Sequence, residues 1–192
     1  MSSQPQLLPI SLHPQDVVYT PSWVARDMVE FFNPVGSILE PCAGDGVFLK
    51  FLNNSSWCEI AKGKDFFAWN TPVDWIVGNP PFKQFDKFLL HSYRVAQNIV
   101  YLIPADKPFS SLPRARMISD NGDIVHMRYY VDGPQMDMPE VHRPMAAFYF
   151  RRGYRGAMEK SYYSAQLSNT ASTRQGVGSA LSSNNLGVTP CG

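Results

Sequence analysis

No stretch of this chain approaches 18 consecutive apolar residues, so no membrane-spanning helix is expected. Cysteine is scarce: Cys42, Cys58 and Cys191 make an odd number, with no CxxC pair and no His/Cys ligand spacing. A disulfide framework and a metal site are therefore not expected, and a reducing, cytoplasmic setting is the default. The opening MSSQPQLLPISL has neither a charged leading region nor a long apolar core, so a signal peptide is not expected. His13, His91, His126 and His142 stand apart, without a nucleophile or acid around them, and read as structural. Net charge is almost absent, with 17 basic against 16 acidic side chains, which gives no broad nucleic-acid signature. The distribution says slightly more. Residues 1–100 carry 7 basic and 9 acidic groups, and residues 101–192 carry 10 and 7. Eight of those ten are arginine, which reads either as a surface toward a polyanion or as ordinary solvation.

What is present is enough for one domain with a substantial core: 192 residues, 44% hydrophobic and 13% aromatic. The first 15 residues are Pro/Gln/Ser-rich and read as an arm. TPSWVARDMVEFF then has helical spacing, with Thr20 as N-cap and Pro21 in the first helical position. SILE (37–40) is a short buried-type strand, and GVFLKFL after the glycine turn reads as helix. WCEI (57–60), DWIVG (74–78) and NIVYLIP (98–104) read as strands, with a helix over 85–96. DIVHMRYYV (123–131) and MAAFYFRR (145–152) alternate as two further strands. Strands alternating with helices, followed by two strands without one, predict an α/β fold: an open, mainly parallel sheet with an antiparallel edge hairpin. From 154 to 192 the chain is Ser/Asn/Gly-rich and is expected to be a disordered tail, leaving 16–153 as the folded domain.

In open α/β sheets ligands sit beyond the carboxyl ends of the strands. The first strand delivers LEPCAGDGVF, a small-residue loop that reads equally as a plain strand-to-helix turn or a cofactor loop. A helix starting there would offer free N–H groups to an anion. Glu59 ends the second strand, either as a ribose acceptor or as a surface acid. Asp65, beside Phe66 and Phe67, is either an adenine acceptor or an Asx turn against core rings. The third strand runs into Asn79-Pro80-Pro81-Phe82. Asn-Pro-Pro-aromatic arises by chance in roughly one chain of this length in several hundred. Two prolines freeze the backbone. Such rigidity suits a backbone carbonyl aimed at one atom. The Asn79 Oδ1 and the Pro80 carbonyl then accept both hydrogens of an exocyclic amine, with Phe82 stacked on its ring. A structural Pro-Pro turn is the alternative.

Taken in order, ILEPCAGDG, CEI, KDFF and IVGNPPF resemble the N6-adenine type of class I S-adenosylmethionine-dependent methyltransferases. DVVYTPSWVARDMVEFF, upstream of the first strand, is similar to the cofactor-contacting motif of their gamma group. The resemblance covers about residues 15–152 and implies a Rossmann-like fold and S-adenosylmethionine as cofactor. It implies that Tyr19, Thr20 and Pro21 line the methionine end, and that Glu40, Cys42, Ala43 and Gly44 form the floor, with backbone amides near the cofactor carboxylate. Glu59 takes the ribose hydroxyls, Asp65 and Phe66 the adenine, and Asn79, Pro80, Pro81 and Phe82 the target base. The implied reaction is direct transfer of methyl to adenine N6 in DNA, without metal or covalent nucleophile, the base being flipped from a duplex. RNA adenine, protein glutamine N5, and a non-catalytic methyltransferase-like binding subunit are the alternatives. The implied partners are DNA or RNA and a specificity subunit or second copy.

Three departures from the family pattern stand out. Only five residues separate Glu59 from Asp65, too few for the usual helix and third strand, so the sheet is expected to be abbreviated on the cofactor-adenine side. Cys42 stands where a smaller or hydroxyl side chain is frequent. No length remains for a separate target-recognition domain, which leaves the loops at 106–122 and 132–144, with Arg114, Arg116 and Arg143, as the substrate-facing candidates.

Overall fold

The computed structural model describes residues 19–132 and 144–164. The expectations for the arm at 1–15, for Arg143 and for the chain beyond 164 lie outside the described residues. Helix α1 (Ser22–Phe32) buries Val24, Ala25 and Met28 on one face. It ends at Asn33, whose backbone is left-handed (φ 43°) and whose N–H bonds to the Val29 carbonyl. Its start differs from the expectation. Pro21 is the cap residue and its carbonyl accepts from Val24 and Ala25, while the Thr20 side chain turns elsewhere.

Strands β1 (Ile38–Glu40), β2 (Ser55–Trp57), β3 (Val73–Gly78) and β4 (Ala96–Pro104) pair in parallel. Helix α2 (Phe85–Val95) joins β3 to β4, and α3 (Leu112–Asn121) leads into β5 (Gly122–Asp132). Strand β6 (Met145–Arg152) runs antiparallel to both β4 and β5, and β7 (Glu159–Ser164) adds in parallel outside β5. The seven-stranded order is β2-β1-β3-β4-β6-β5-β7. This is the mostly parallel sheet with an antiparallel flank that the strand–helix pattern predicts, and it agrees with the Rossmann-like fold that the resemblance implies. Helix α3 and strand β7 are additions to the expectation, and β7 carries the sheet past the boundary placed at 153.

Strand β4 is the sheet's spine. Ile99, Val100, Tyr101, Leu102 and Ile103 have no exposed surface, because the sheet is covered on both faces. Ile99, Tyr101 and Ile103 pack with Phe85, Leu89 and Ile118 from α2 and α3. Val100 and Leu102 face the other way, with Val24, Met28 and Phe48. Strand β2 ends the sheet on its other side. The short Glu59–Asp65 spacing leaves room there only for a 3-10 turn at Ile60–Lys62, and a second, Phe66–Ala68, follows Asp65. The abbreviation expected from that spacing is present.

The helix expected over GVFLKFL is not. Only a 3-10 turn, Phe48–Lys50, follows the glycine loop. Phe48 and Leu52 are buried, and the chain turns back at Asn54, whose φ is positive. Too few residues separate Gly46 from β2 to build a helix and return. The side chains form a plug under α1 instead.

Candidate active site

The carboxyl ends of β1, β2 and β3 converge on one cavity of about 310 Å3. Every site residue read from the sequence lines it except Pro21, which caps α1. Tyr19 stands at the rim, more than half exposed, and Thr20 is buried below it.

The floor belongs to β1. Glu40 is 1% exposed, and its Oε2 has no hydrogen-bond partner among the described residues. Burial pushes its carboxyl up to about 8, with smaller contributions from Asp45 and Glu59; Lys62 opposes them. The chain then bends at Pro41. The Cys42 thiol donates to the Asn79 carbonyl at 3.3 Å, and its own ionisation is pushed far up by burial. Strand β3 comes close here. A Cβ on Gly78 would stand 3.0 Å from the Pro41 ring.

The glycine loop is held by the protein's own acid. The Gly44 N–H donates to Glu59 Oε2 at 2.7 Å, and the Ala61 N–H donates to Oε1 at 3.1 Å. Lys62 reaches back to the Gly44 carbonyl at 3.3 Å. Two expectations change accordingly. No helix N-terminus faces the cavity from this loop, and the Gly44 amide expected near a cofactor carboxylate bonds to Glu59. Asp65 forms the Asx-type turn, its Oδ1 accepting from the Phe67 N–H, and the residue lines the cavity. Phe66 is buried between Phe88, stacked at 5.2 Å, and His91, edge-on at 4.7 Å.

Asn79 leaves β3 with its Nδ2 donating to Thr20 Oγ1 at 3.0 Å. Thr20 thus anchors the Asn-Pro-Pro-Phe segment rather than capping α1. Phe82 is half-buried and packs against both core clusters. Lys62, Asp45 and Gln84 also line the cavity and escaped the sequence reading. Their signal was only proximity, since Lys62 follows Glu59 by three residues and Gln84 follows Phe82 by two. Among the described residues no cluster of acids, histidines or cysteines could hold a metal, and no helix is long and apolar enough to cross a membrane.

No protein-family model matches the chain, and no curated protein matches it. Solved structures do. A Listeria monocytogenes protein assigned to class I S-adenosylmethionine-dependent methyltransferases superposes with a TM-score of 0.60 at 15% identity, over 85% of this chain and 72% of its own. A Vibrio vulnificus protein assigned as the modification subunit of a type I restriction enzyme gives 0.56 at 17% identity, over 78% and 47%. The EcoKI modification protein gives 0.53 at 10% identity, over 70% and 44%. This chain therefore spans less than half the length of those two modification subunits. At these identities the likeness is one of fold, and the fold is that of Rossmann-like class I methyltransferases.

Proposed function

We propose that the chain transfers a methyl group from S-adenosylmethionine to the N6 amino group of adenine in DNA. One observation carries the reading. The Asn79-Pro80-Pro81-Phe82 segment opens into the same cavity as Glu40, the glycine loop and Glu59. A cofactor loop beside a plain Pro-Pro turn would not need that shared space.

The residues present fit the cofactor. A buried carboxyl group without a hydrogen-bond partner on Oε2, Glu40, suits a cationic group at the floor, whose arrival favours the ionised form. Glu59 and Asp65 offer acceptors on the β2 side, and Phe48 and Phe66 supply apolar wall. When bound, S-adenosylmethionine supplies the sulfonium-linked methyl group. The chain's own contribution is positioning and hydrogen bonding. With Nδ2 committed to Thr20, Asn79 presents Oδ1 as its acceptor. Oδ1 and the Pro80 carbonyl take the two hydrogens of the amine, which turns its lone pair toward the methyl. Phe82 offers a ring face to the base. Cys42 fixes the Asn79 carbonyl, so the segment is tied to the floor at one side and to Thr20 at the other.

The test is transfer of labelled methyl from S-adenosylmethionine into mixed-sequence DNA and, in parallel, RNA, with the nucleosides digested and identified. N6-methyladenine in DNA supports the reading. Product only in RNA moves the substrate, and product in neither removes the reading.

A further inference from the structure

We propose that Phe109 is a stacking platform for a nucleobase on the strand that carries the target adenine, held in place by Arg114. The proposal rests on the nucleic-acid reading above and adds a second contact outside the cavity.

The topology places the two segments together. Strands β3 and β4 are paired in parallel with Gly78 opposite Tyr101. The Asn79–Phe82 segment and the segment after Pro104 therefore leave the sheet from neighbouring strands at the same edge. The second segment forms a 3-10 turn, Lys107–Phe109, before α3. Phe109 is 57% exposed, yet its ring is not loose. It meets the fully buried Phe148 edge-on at 6.2 Å, which anchors the ring and leaves its remaining surface open. Leu112, three residues further on, is also exposed.

Arg114 makes this turn rigid. Its side chain is 12% exposed. It donates to the Lys107 carbonyl at 2.9 Å, to Ser110 Oγ at 2.6 Å and to both carboxylate oxygens of Asp86. Asp86 sits in the first turn of α2, four residues after Phe82. A buried guanidinium therefore clamps the Phe109 turn onto the helix that follows Asn-Pro-Pro-Phe. A single exposed apolar residue is ordinary on a protein surface. A ring seated on the core at Phe148, in a turn that Arg114 ties to the helix following Asn-Pro-Pro-Phe, is not.

Charge points to the same partner. Residues 83–87 and 105–116 carry five basic side chains (Lys83, Lys87, Lys107, Arg114, Arg116) against Asp86 and Asp106, in a chain whose net charge is +1. Arg114 is paired with Asp86, which leaves basic residues in excess in the two segments that flank the ring in the chain. Cations for phosphates beside a π-face for a base is the combination that holds an unpaired nucleic-acid strand. A base next to a flipped or unpaired adenine has lost one stacking neighbour, and Phe109 replaces it. DNA and RNA strands share this chemistry.

The test is fluorescence-anisotropy titration of labelled, adenine-containing 12-nucleotide DNA and RNA strands with the intact protein and with Phe109→Ala, Phe109→Leu and Phe109→Trp. Melting temperature and S-adenosylmethionine affinity are measured beside it. Phe109→Leu keeps an apolar contact on Phe148 and loses only the aromatic face. Phe109→Ala and Phe109→Leu are expected to weaken strand binding roughly tenfold, and Phe109→Trp to retain it, with cofactor affinity unchanged throughout. DNA bound at least as tightly as RNA is expected; a Phe109 effect confined to RNA overturns the platform for the DNA strand. Strand binding by Phe109→Leu equal to that of the intact protein overturns the inference alone, provided the intact protein makes N6-methyladenine. Failure of the intact protein to bind either strand while it still makes N6-methyladenine overturns the inference alone; failure both to bind and to make product overturns the inference together with the reading it rests on.

Discussion

Asn79 and Thr20, 59 positions apart in the chain, are joined side chain to side chain at 3.0 Å. The bond ties the segment before α1 to the end of β3. It makes the orientation of the Asn79 amide depend on a hydroxyl from a distant part of the sequence.

Thr20→Val removes that acceptor while nearly preserving volume. Methyl transfer is expected to fall roughly 10- to 100-fold, because small misplacements of a positioning group carry costs of that order. Thr20→Ser keeps a hydroxyl and is expected to stay within a few-fold of the intact protein. Initial rates at saturating cofactor check both.

Glu40 gives a pH dependence with a defined sign. Its folded carboxyl titrates at about 8 against an ordinary value of 4.5. The folded state therefore holds an extra proton between those values, and stability falls as pH rises through them. Its contribution is fully present below 4.5 and lost above about 8, on the order of a few kcal/mol. Glu40→Gln stays neutral throughout. Its melting temperature is expected to fall less than that of the intact protein between pH 6 and 9, as read by thermal scans without ligand.

The same carboxyl predicts a proton released on cofactor binding. A cation arriving at Glu40 favours its ionised form, so S-adenosylmethionine binding at pH 7 is expected to release a proton in the intact protein. Glu40→Gln is expected to release less. Calorimetry in two buffers of different ionisation enthalpy measures the difference.

Asp27 pairs with Arg128 through two hydrogen bonds, 2.6 and 2.7 Å, and accepts a third from the Tyr130 hydroxyl at 2.9 Å. This pair fastens α1 to β5, and both side chains are largely buried. Asp27→Ala leaves the guanidinium without its counter-charge and is expected to cost about 3 kcal/mol, roughly 6–12 °C in melting temperature. Asp27→Ala with Arg128→Met is expected to recover much of the loss, since no unpaired buried charge remains.

Much of this fold is legible in the sequence because its long elements carry strong periods. From Ile99 to Pro104 the β4 run is apolar, since both faces of the strand are covered there, and α2 repeats Phe85, Phe88, Leu89 and Ser92 on one buried face. Helix α3 was not legible: of its ten residues only Ile118 is buried, so no apolar stripe marks it. Strand β7, EKSYYS, reads as polar surface and is held by pairing to β5 and by rings such as Tyr163, 5.0 Å from Trp23. The expected helix after Gly46 failed for the opposite reason. Phe48, Phe51 and Leu52 have helical spacing, but the return to β2 leaves no length for the turns.

Of the candidate site, the convergence of the strand ends on one cavity was legible, because ligands in open α/β sheets sit there. Asn-Pro-Pro-Phe stood out as a rare combination, whereas the glycine loop reads equally as a plain turn. The links between them were not legible. Glu59 bonding to Gly44, and Thr20 to Asn79, are long-range pairs that no local pattern encodes.

The most direct test of the central claim is the identity of the methylated nucleoside made by the intact protein beside Asn79→Ala. DNA is incubated with labelled S-adenosylmethionine, digested, and its nucleosides are separated by mass. The account predicts N6-methyladenine from the intact protein and at least a 100-fold loss in Asn79→Ala, the order expected for removing one positioned acceptor, with cofactor affinity retained. Methyl on another atom, or undiminished N6-methyladenine from Asn79→Ala, would contradict it.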